Sequence, residues 1–173
     1  GPFLSMNPFS SRCCQHNHAQ GWPYFTEHLV LATPDNGVAT AIYAACKATV
    51  KVGDGKEITL HEETNYPFEE SIAFSVSTGE KVTFPFYLRI PSWTKGAEVR
   101  VNGKKVNVAP VAGKYLCIHR EWSNGDRVEL TLPMSLSMRT WQVNKNSVSV
   151  DYGPLTLSLK IAEKYVEKDS RET

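Results

Sequence analysis

The sequence predicts a mainly β protein: an antiparallel β-sandwich preceded by one helix and followed by the start of a second sandwich. Three observations carry this expectation. Short segments alternate apolar and polar residues, as half-buried strands do. Turn signals such as Gly53-Asp54-Gly55, Asn102-Gly103 and Asn124-Gly125 recur about every 8–12 residues, the rhythm of a sandwich or barrel. Helices alternating with strands, which a parallel sheet needs, are absent from the pattern.

The helix is expected in "WPYFTEHLVLAT". Pro23 suits a first helical position, where its missing N–H costs nothing. Trp22, Phe25, Leu29 and Ala32 then recur at three- and four-residue spacing. "TPDNG", residues 33–37, ends it with turn chemistry. "GVATAIYAACKATVKV" reads as strand up to the Gly53 turn, and "KEITLHEETNY" sets Ile58, Leu60 and Glu62 in one register. "SIAFSVS" does the same with Ile72, Phe74 and Val76. "KVTFPFYLRIP" aligns Val82, Phe84, Phe86, Leu88 and Ile90, with Pro85 pointing to an edge or a bulge. "AEVRVNGKKVNV" is the clearest local signal, because Asn-Gly is the favoured pair of a type I′ hairpin. "KYLCIHREW" and "RVELTLP" flank the turn at Asn124-Gly125. The texture shifts near Pro133, and "SLSMRTWQV", "SVSVDYG" and "PLTLSLKI" follow as the start of a further sheet.

Composition bounds the function. The chain has 173 residues, 41% hydrophobic and 21% charged, which excludes wholesale disorder. Nineteen basic and 18 acidic residues leave a net charge of +1, so there is no electrostatic case for a nucleic-acid or membrane partner. No apolar run approaches the ~20 residues of a membrane-spanning helix. "GPFLSMNPFSS" has neither the basic nor the apolar region of a signal peptide and does not begin with Met. The chain therefore reads as a processed product or a fragment, and the compartment of the parent protein is not legible.

Four cysteines carry the most chemistry: Cys13, Cys14, Cys46 and Cys117. Cys46 and Cys117 sit in apolar strand-like runs, where buried free thiols are common. Adjacent cysteines seldom bond each other. Cys13 and Cys14 stand beside His16 and His18 in "RCCQHNHAQGW". From the residues alone this stretch is either a metal or thiol site or a helix-start loop with incidental cysteines. A thiolate needs Arg12, a helix N-terminus or a zinc ion nearby to be reactive at neutral pH. "HEETNYPFEE", with Glu62, Glu63, Glu69 and Glu70, resembles a carboxylate pair but reads better as a solvated strand end and loop. His61 and His119 read as ordinary strand histidines. Trp93, Trp122 and Trp141 read as packing residues before sugar-stacking ones. No phosphate loop or nucleophile elbow is present.

At "CCQHNHAQGWPYFTEHL", "FPFYLRIPSW", "VRVNGKKV" and "VSVDYGPLTLSL" the chain resembles the C-terminal part of glycoside hydrolase family 127, the β-L-arabinofuranosidase type. The resemblance covers essentially the whole chain but about the last third or less of a family member. It implies an (α/α)6-barrel catalytic domain followed by two β-sandwiches. Residues 1–30 would then be the end of the barrel, 31–134 a complete sandwich and 135–173 the truncated start of a second. It further implies that Cys13 is the nucleophile of a retaining mechanism, and that Cys13 and Cys14 both bind Zn2+. The remaining zinc ligands, a Glu and a Cys, and the acid/base Glu would come from barrel segments upstream. The partner implied is a carbohydrate, an arabinose-containing glycan. A homo-oligomer could form through Phe3, Leu4, Phe9, Trp22 and Phe25 at the exposed barrel end. Where characterised members read "CCPPN", this chain reads "CCQHN", which leaves the sugar open. Alone, the chain is expected to be inactive and to bind zinc weakly at most, and tight stoichiometric zinc binding in a calorimetric titration would contradict this. The alternative reading is a non-catalytic carbohydrate-binding or structural module that uses Trp93, Trp122 or Trp141. A small thiol-redox protein is weaker still, for want of a Cys-x-x-Cys helix.

Overall fold

The computed structural model describes residues 12–164, except for the side chains of residues 12–16 and 18. Phe3, Leu4 and Phe9 lie outside the described residues. The chain divides into two compact units, one up to Met134 and one from Ser135.

The helix α1 spans Arg12–Glu27. It was expected to begin at Pro23, after the cysteines. Instead it contains them and carries Pro23 in its interior. The periodic apolar signal starts only at Trp22, whereas the preceding "RCCQHNHAQ" is helical without an apolar stripe to mark it. Thr26 donates its hydroxyl to the carbonyl oxygens of Trp22 (3.1 Å) and Pro23 (2.8 Å) near the C-terminal end. Amides of His28 and Leu29 then close the last turn on Phe25 and Thr26. Trp22 and Tyr24 stand well exposed on the helix, and Phe25 partly so. Residues 30–32, expected as the helix end, form strand β1 (Val30–Ala32) instead.

Two sheets enclose one core. The four-stranded sheet runs β1, β2 (Val38–Thr40), β6 (Val82–Arg89) and β9 (Tyr115–Trp122). The six-stranded sheet runs β3 (Cys46–Val52), β4 (Lys56–Thr64), β5 (Ser71–Thr78), β10 (Arg127–Thr131), β7 (Glu98–Val101) and β8 (Lys104–Lys105). The single expected strand before Gly53 is thus two strands, β2 and β3, in different sheets. Every pairing in these sheets is antiparallel but one. β2 pairs with β6 in parallel, because the chain leaves the small sheet at Thr40, builds β3–β5 opposite, and returns from the far side. Pro85 is accommodated because the β2 ladder begins at Val38↔Phe86, so Pro85 has no partner on that side. At this junction Gly37 must be glycine, since a Cβ there would lie 2.3 Å from the Pro85 carbonyl oxygen.

The alternating registers meet in the middle. Phe84, Phe86, Leu88 and Trp122 come from the small sheet, and Ile58, Leu60, Ile72, Phe74, Val128 and Leu130 from the large one, all buried in one cluster. Phe74 and Phe86 meet edge-to-face across the two sheets at 5.3 Å. The Asn102-Gly103 hairpin forms as expected, with both residues at positive φ, 51° and 75°. Asn102 also ties its turn to the next one: its amide group donates to Asp126 (2.8 Å) and its carbonyl oxygen accepts from the amide of Arg127 (2.8 Å).

The second unit is an antiparallel sheet of β11 (Leu136–Trp141), β12 (Ser147–Tyr152) and β13 (Leu155–Leu157). Its register puts Leu136, Met138, Val148, Val150, Tyr152, Leu155 and Leu157 on one face. The opposite face is polar and internally paired, with Arg139 3.5 Å from Asp151, and Thr156 donating to Asp151.

Candidate functional site

Cys13 and Cys14 are placed by α1, one peptide apart on a helical backbone. Their side chains, like those of His16 and His18, lie outside the described residues. Among the described residues, no group of three or more His, Cys, Asp or Glu side chains is close enough to hold a metal ion. The donor chemistry of two vicinal thiols fits zinc, whose structural and catalytic sites take thiolate, imidazole and carboxylate ligands in tetrahedral sets.

The other two cysteines are free thiols. Cys46 lies directly across the β3–β4 ladder from Glu62. Burial first, and then the Glu62 carboxyl beside it, push its thiol up to about 11, so Cys46 is protonated and poorly nucleophilic at neutral pH.

Within the acidic stretch Glu63 and Glu69 are exposed, as expected of a solvated strand end and loop, and Glu62 departs from that expectation. Glu62 has no exposed surface. One carboxyl oxygen accepts the Ala44 amide at 3.1 Å, and the other lies 3.9 Å from the Cys46 sulfur. It thereby ties down the segment between β2 and β3 that crosses from one sheet to the other. Its neighbours do separate work. Glu63 pairs with Arg127 at 3.5 Å, Glu69 accepts from the Asn65 side chain at 3.0 Å, and Glu70 accepts the Met134 amide at 2.7 Å. The signal was in the sequence: Glu62 continues the register of Ile58 and Leu60, both buried.

Desolvation raises the Glu62 carboxyl to about 8, against the lowering effect of its bonds to Ala44 and Cys46. Its pKa is thus higher folded than unfolded, so the unfolded chain gives up this proton first as pH rises. The stability Glu62 contributes is complete below about pH 4.5, declines from there, and is lost by about pH 8. Glu62→Gln keeps an acceptor for Ala44 without the proton. Urea unfolding of the chain at pH 5 and pH 8 is expected to show a fall in stability with pH that is smaller in Glu62→Gln, by a few kcal/mol at most. Identical pH dependence in the two proteins would contradict the buried, protonated acid.

The tryptophans divide by environment. Trp122 is fully buried and Trp93 is packed against the core, so neither offers a free sugar platform. Trp141 is 44% exposed, but its indole N–H donates to Ser149 (3.2 Å) and the Arg139 guanidinium lies 5.2 Å from its ring centre. His61 and His119 are exposed on β4 and β9, as expected of ordinary strand histidines. The residues that sequence reasoning missed are Asp35 and Tyr87, whose carboxylate and hydroxyl meet at 2.5 Å although they lie 52 positions apart.

Residues 37–134 match the family model of the β-L-arabinofuranosidase, GH127 middle domain. Similar solved structures include a GH127 β-L-arabinofuranosidase from Geobacillus stearothermophilus T6, at 31% identity and a TM-score of 0.77 over 86% of this chain and 24% of that one. A glycoside hydrolase matches at 28% identity and a TM-score of 0.76, over 85% of this chain and 25% of the other. A GH127 β-arabinofuranosidase matches at 28% identity and a TM-score of 0.75, over 86% and 26%. The chain therefore spans about a quarter of the length of these proteins. No curated protein matches it.

Proposed function

Because the chain belongs to the GH127 family of β-L-arabinofuranosidases, we propose that it is part of a retaining glycoside hydrolase that releases terminal arabinofuranosyl residues, with Cys13 as nucleophile. The observation that carries this reading is the vicinal cysteine pair on the helix leading directly into a GH127 middle domain. Residues 1–30 are read as the end of the catalytic barrel, 31–134 as the first sandwich and 135–173 as the beginning of the second.

In the proposed reaction the Cys13 thiolate attacks the anomeric carbon. The bond to the leaving oxygen breaks, and a carboxylic acid from the barrel protonates that oxygen. Water, deprotonated by the same carboxylate, then displaces sulfur and returns the thiolate, so two inversions give net retention. Cys13 and Cys14 would hold a zinc ion together with a Glu and a third Cys from the barrel, and its charge would keep thiols ionised at neutral pH. Cys13 and Cys46 are thus opposite cases of one chemistry, since nothing cationic offsets the burial of Cys46.

The test is Cys13→Ala in the full-length enzyme, assayed on aryl-arabinofuranosides. Undiminished turnover would end the nucleophile assignment. An accessory-module reading loses the Trp122 platform to burial and finds Trp93 half-buried against the core, which leaves it Trp141.

A further inference from the structure

We propose that the outer face of the four-stranded sheet carries a second sugar site, a groove that binds a glycosyl residue of the arabinose-containing glycan through Tyr87, Tyr115 and Asp35. The ligand class rests on the proposed function, while the groove rests on geometry.

The groove has a volume of about 490 Å³ and is lined by Thr33, Pro34, Asp35, Ala39, Tyr87 and Tyr115. That lies within the range of roughly 300–1,000 Å³ usual for small-ligand clefts. Tyr87 and Tyr115 stand on the adjacent strands β6 and β9, and the small Ala39 of β2 lies beside them. Tyr115 is 50% exposed, a large aromatic surface left open to solvent.

At the rim, Asp35 is held by a built turn. The Thr33 hydroxyl donates to one of its carboxylate oxygens and the Tyr87 hydroxyl to the other, at 2.5 Å. The same Thr33 oxygen accepts the Gly37 amide at 3.0 Å, and the Asn36 carbonyl accepts the Gly53 amide at 2.7 Å, which ties the turn to the hairpin between β3 and β4. The bonds from Thr33 and Tyr87 hold the Asp35 carboxyl below its usual range, so it stays an ionised acceptor. The backbone amides of Asp35 and Gly37 add to these bonds, and the carboxylate stays exposed at the rim of the groove, where a sugar hydroxyl can reach it.

This pairing selects among ligands. A purely apolar ligand would strip water from the carboxylate without replacing the hydrogen bonds. An anion would be repelled by it. A sugar meets both needs, with its C–H face against the tyrosine rings and its hydroxyls donating to Asp35.

The experiment is a calorimetric and NMR titration of the 173-residue chain with an arabinofuranosyl trisaccharide. Saturable binding is expected, weakened at least about tenfold by Tyr115→Ala, with an unchanged melting temperature, and by Asp35→Asn, which lowers the melting temperature modestly while the chain stays folded by circular dichroism. No saturable binding by the chain, or equal binding by both variants, would overturn the site. So would a full-length enzyme in which Tyr115→Ala lowers the melting temperature while the chain binds no sugar, since the groove would then be an internal contact. The two readings fail separately. A full-length enzyme that hydrolyses aryl-arabinofuranosides beside a chain that binds no sugar removes only the groove. A full-length enzyme that does not hydrolyse them removes the hydrolase reading, while sugar binding by the chain still reports on the groove directly.

Discussion

Replacing Cys13 by Ala in the full-length enzyme is expected to lower kcat on an aryl-arabinofuranoside by at least about 10⁴-fold, the scale seen when a covalent nucleophile is removed. The sugar would still bind and the acid would still be in place, but no group would remain to take the anomeric carbon. The loss should therefore fall on kcat and leave KM within a few-fold. Cys14→Ala is expected to be damaging for a different reason, through the zinc that would keep Cys13 ionised. Its signature is a zinc content below one per chain by elemental analysis, together with a pH–rate profile displaced upward. Intact-mass detection of a glycosylated Cys13 peptide after rapid quenching would identify the nucleophile directly. A Cys13→Ala enzyme with kcat within tenfold of the parent would refute the assignment.

Trp122→Ala is expected to destabilise the first sandwich by about 3–5 kcal/mol, a large share of the roughly 5–15 kcal/mol by which a domain of this kind is stable. Trp122 is the largest fully buried side chain in the described core. It stacks on Phe84 at 5.6 Å, meets Phe86 edge-on at 6.0 Å, and donates its indole N–H to the Phe84 carbonyl at 3.0 Å. The Arg120 guanidinium lies 5.1 Å from its ring centre. Truncation leaves a cavity in the core between the two sheets, beneath β6 and β9, which the strand ladders hold open. Trp122→Phe keeps the ring and loses the hydrogen bond, so a smaller loss of about 1–2 kcal/mol is expected. Urea denaturation of the chain, followed by circular dichroism, measures both. A midpoint for Trp122→Ala equal to that of the parent would show that the core does not depend on this ring.

Much of the fold was legible because strands announce themselves locally. Ile72, Phe74 and Val76 alternate in the sequence and are buried in the structure. Asn102-Gly103 turns as its composition demands, since few other pairs tolerate positive φ at both positions. Helix α1 was found but begun too late, because its first half lacks the apolar spacing that marks an amphipathic helix. Glu62 was misread because a carboxylate at a strand end is usually solvated, while its register said otherwise.

By itself, the sequence determined the class of fold, the positions of most turns and the cysteine motif that leads to the family. Each of these depends on residues within a few positions of one another. The tertiary structure alone decided the parallel β2–β6 pair, the burial of Glu62 behind Ala44 and Cys46, and the meeting of Asp35 with Tyr87. Those depend on which strands become neighbours, and strand order in a sandwich is set by packing between distant segments that no local pattern encodes.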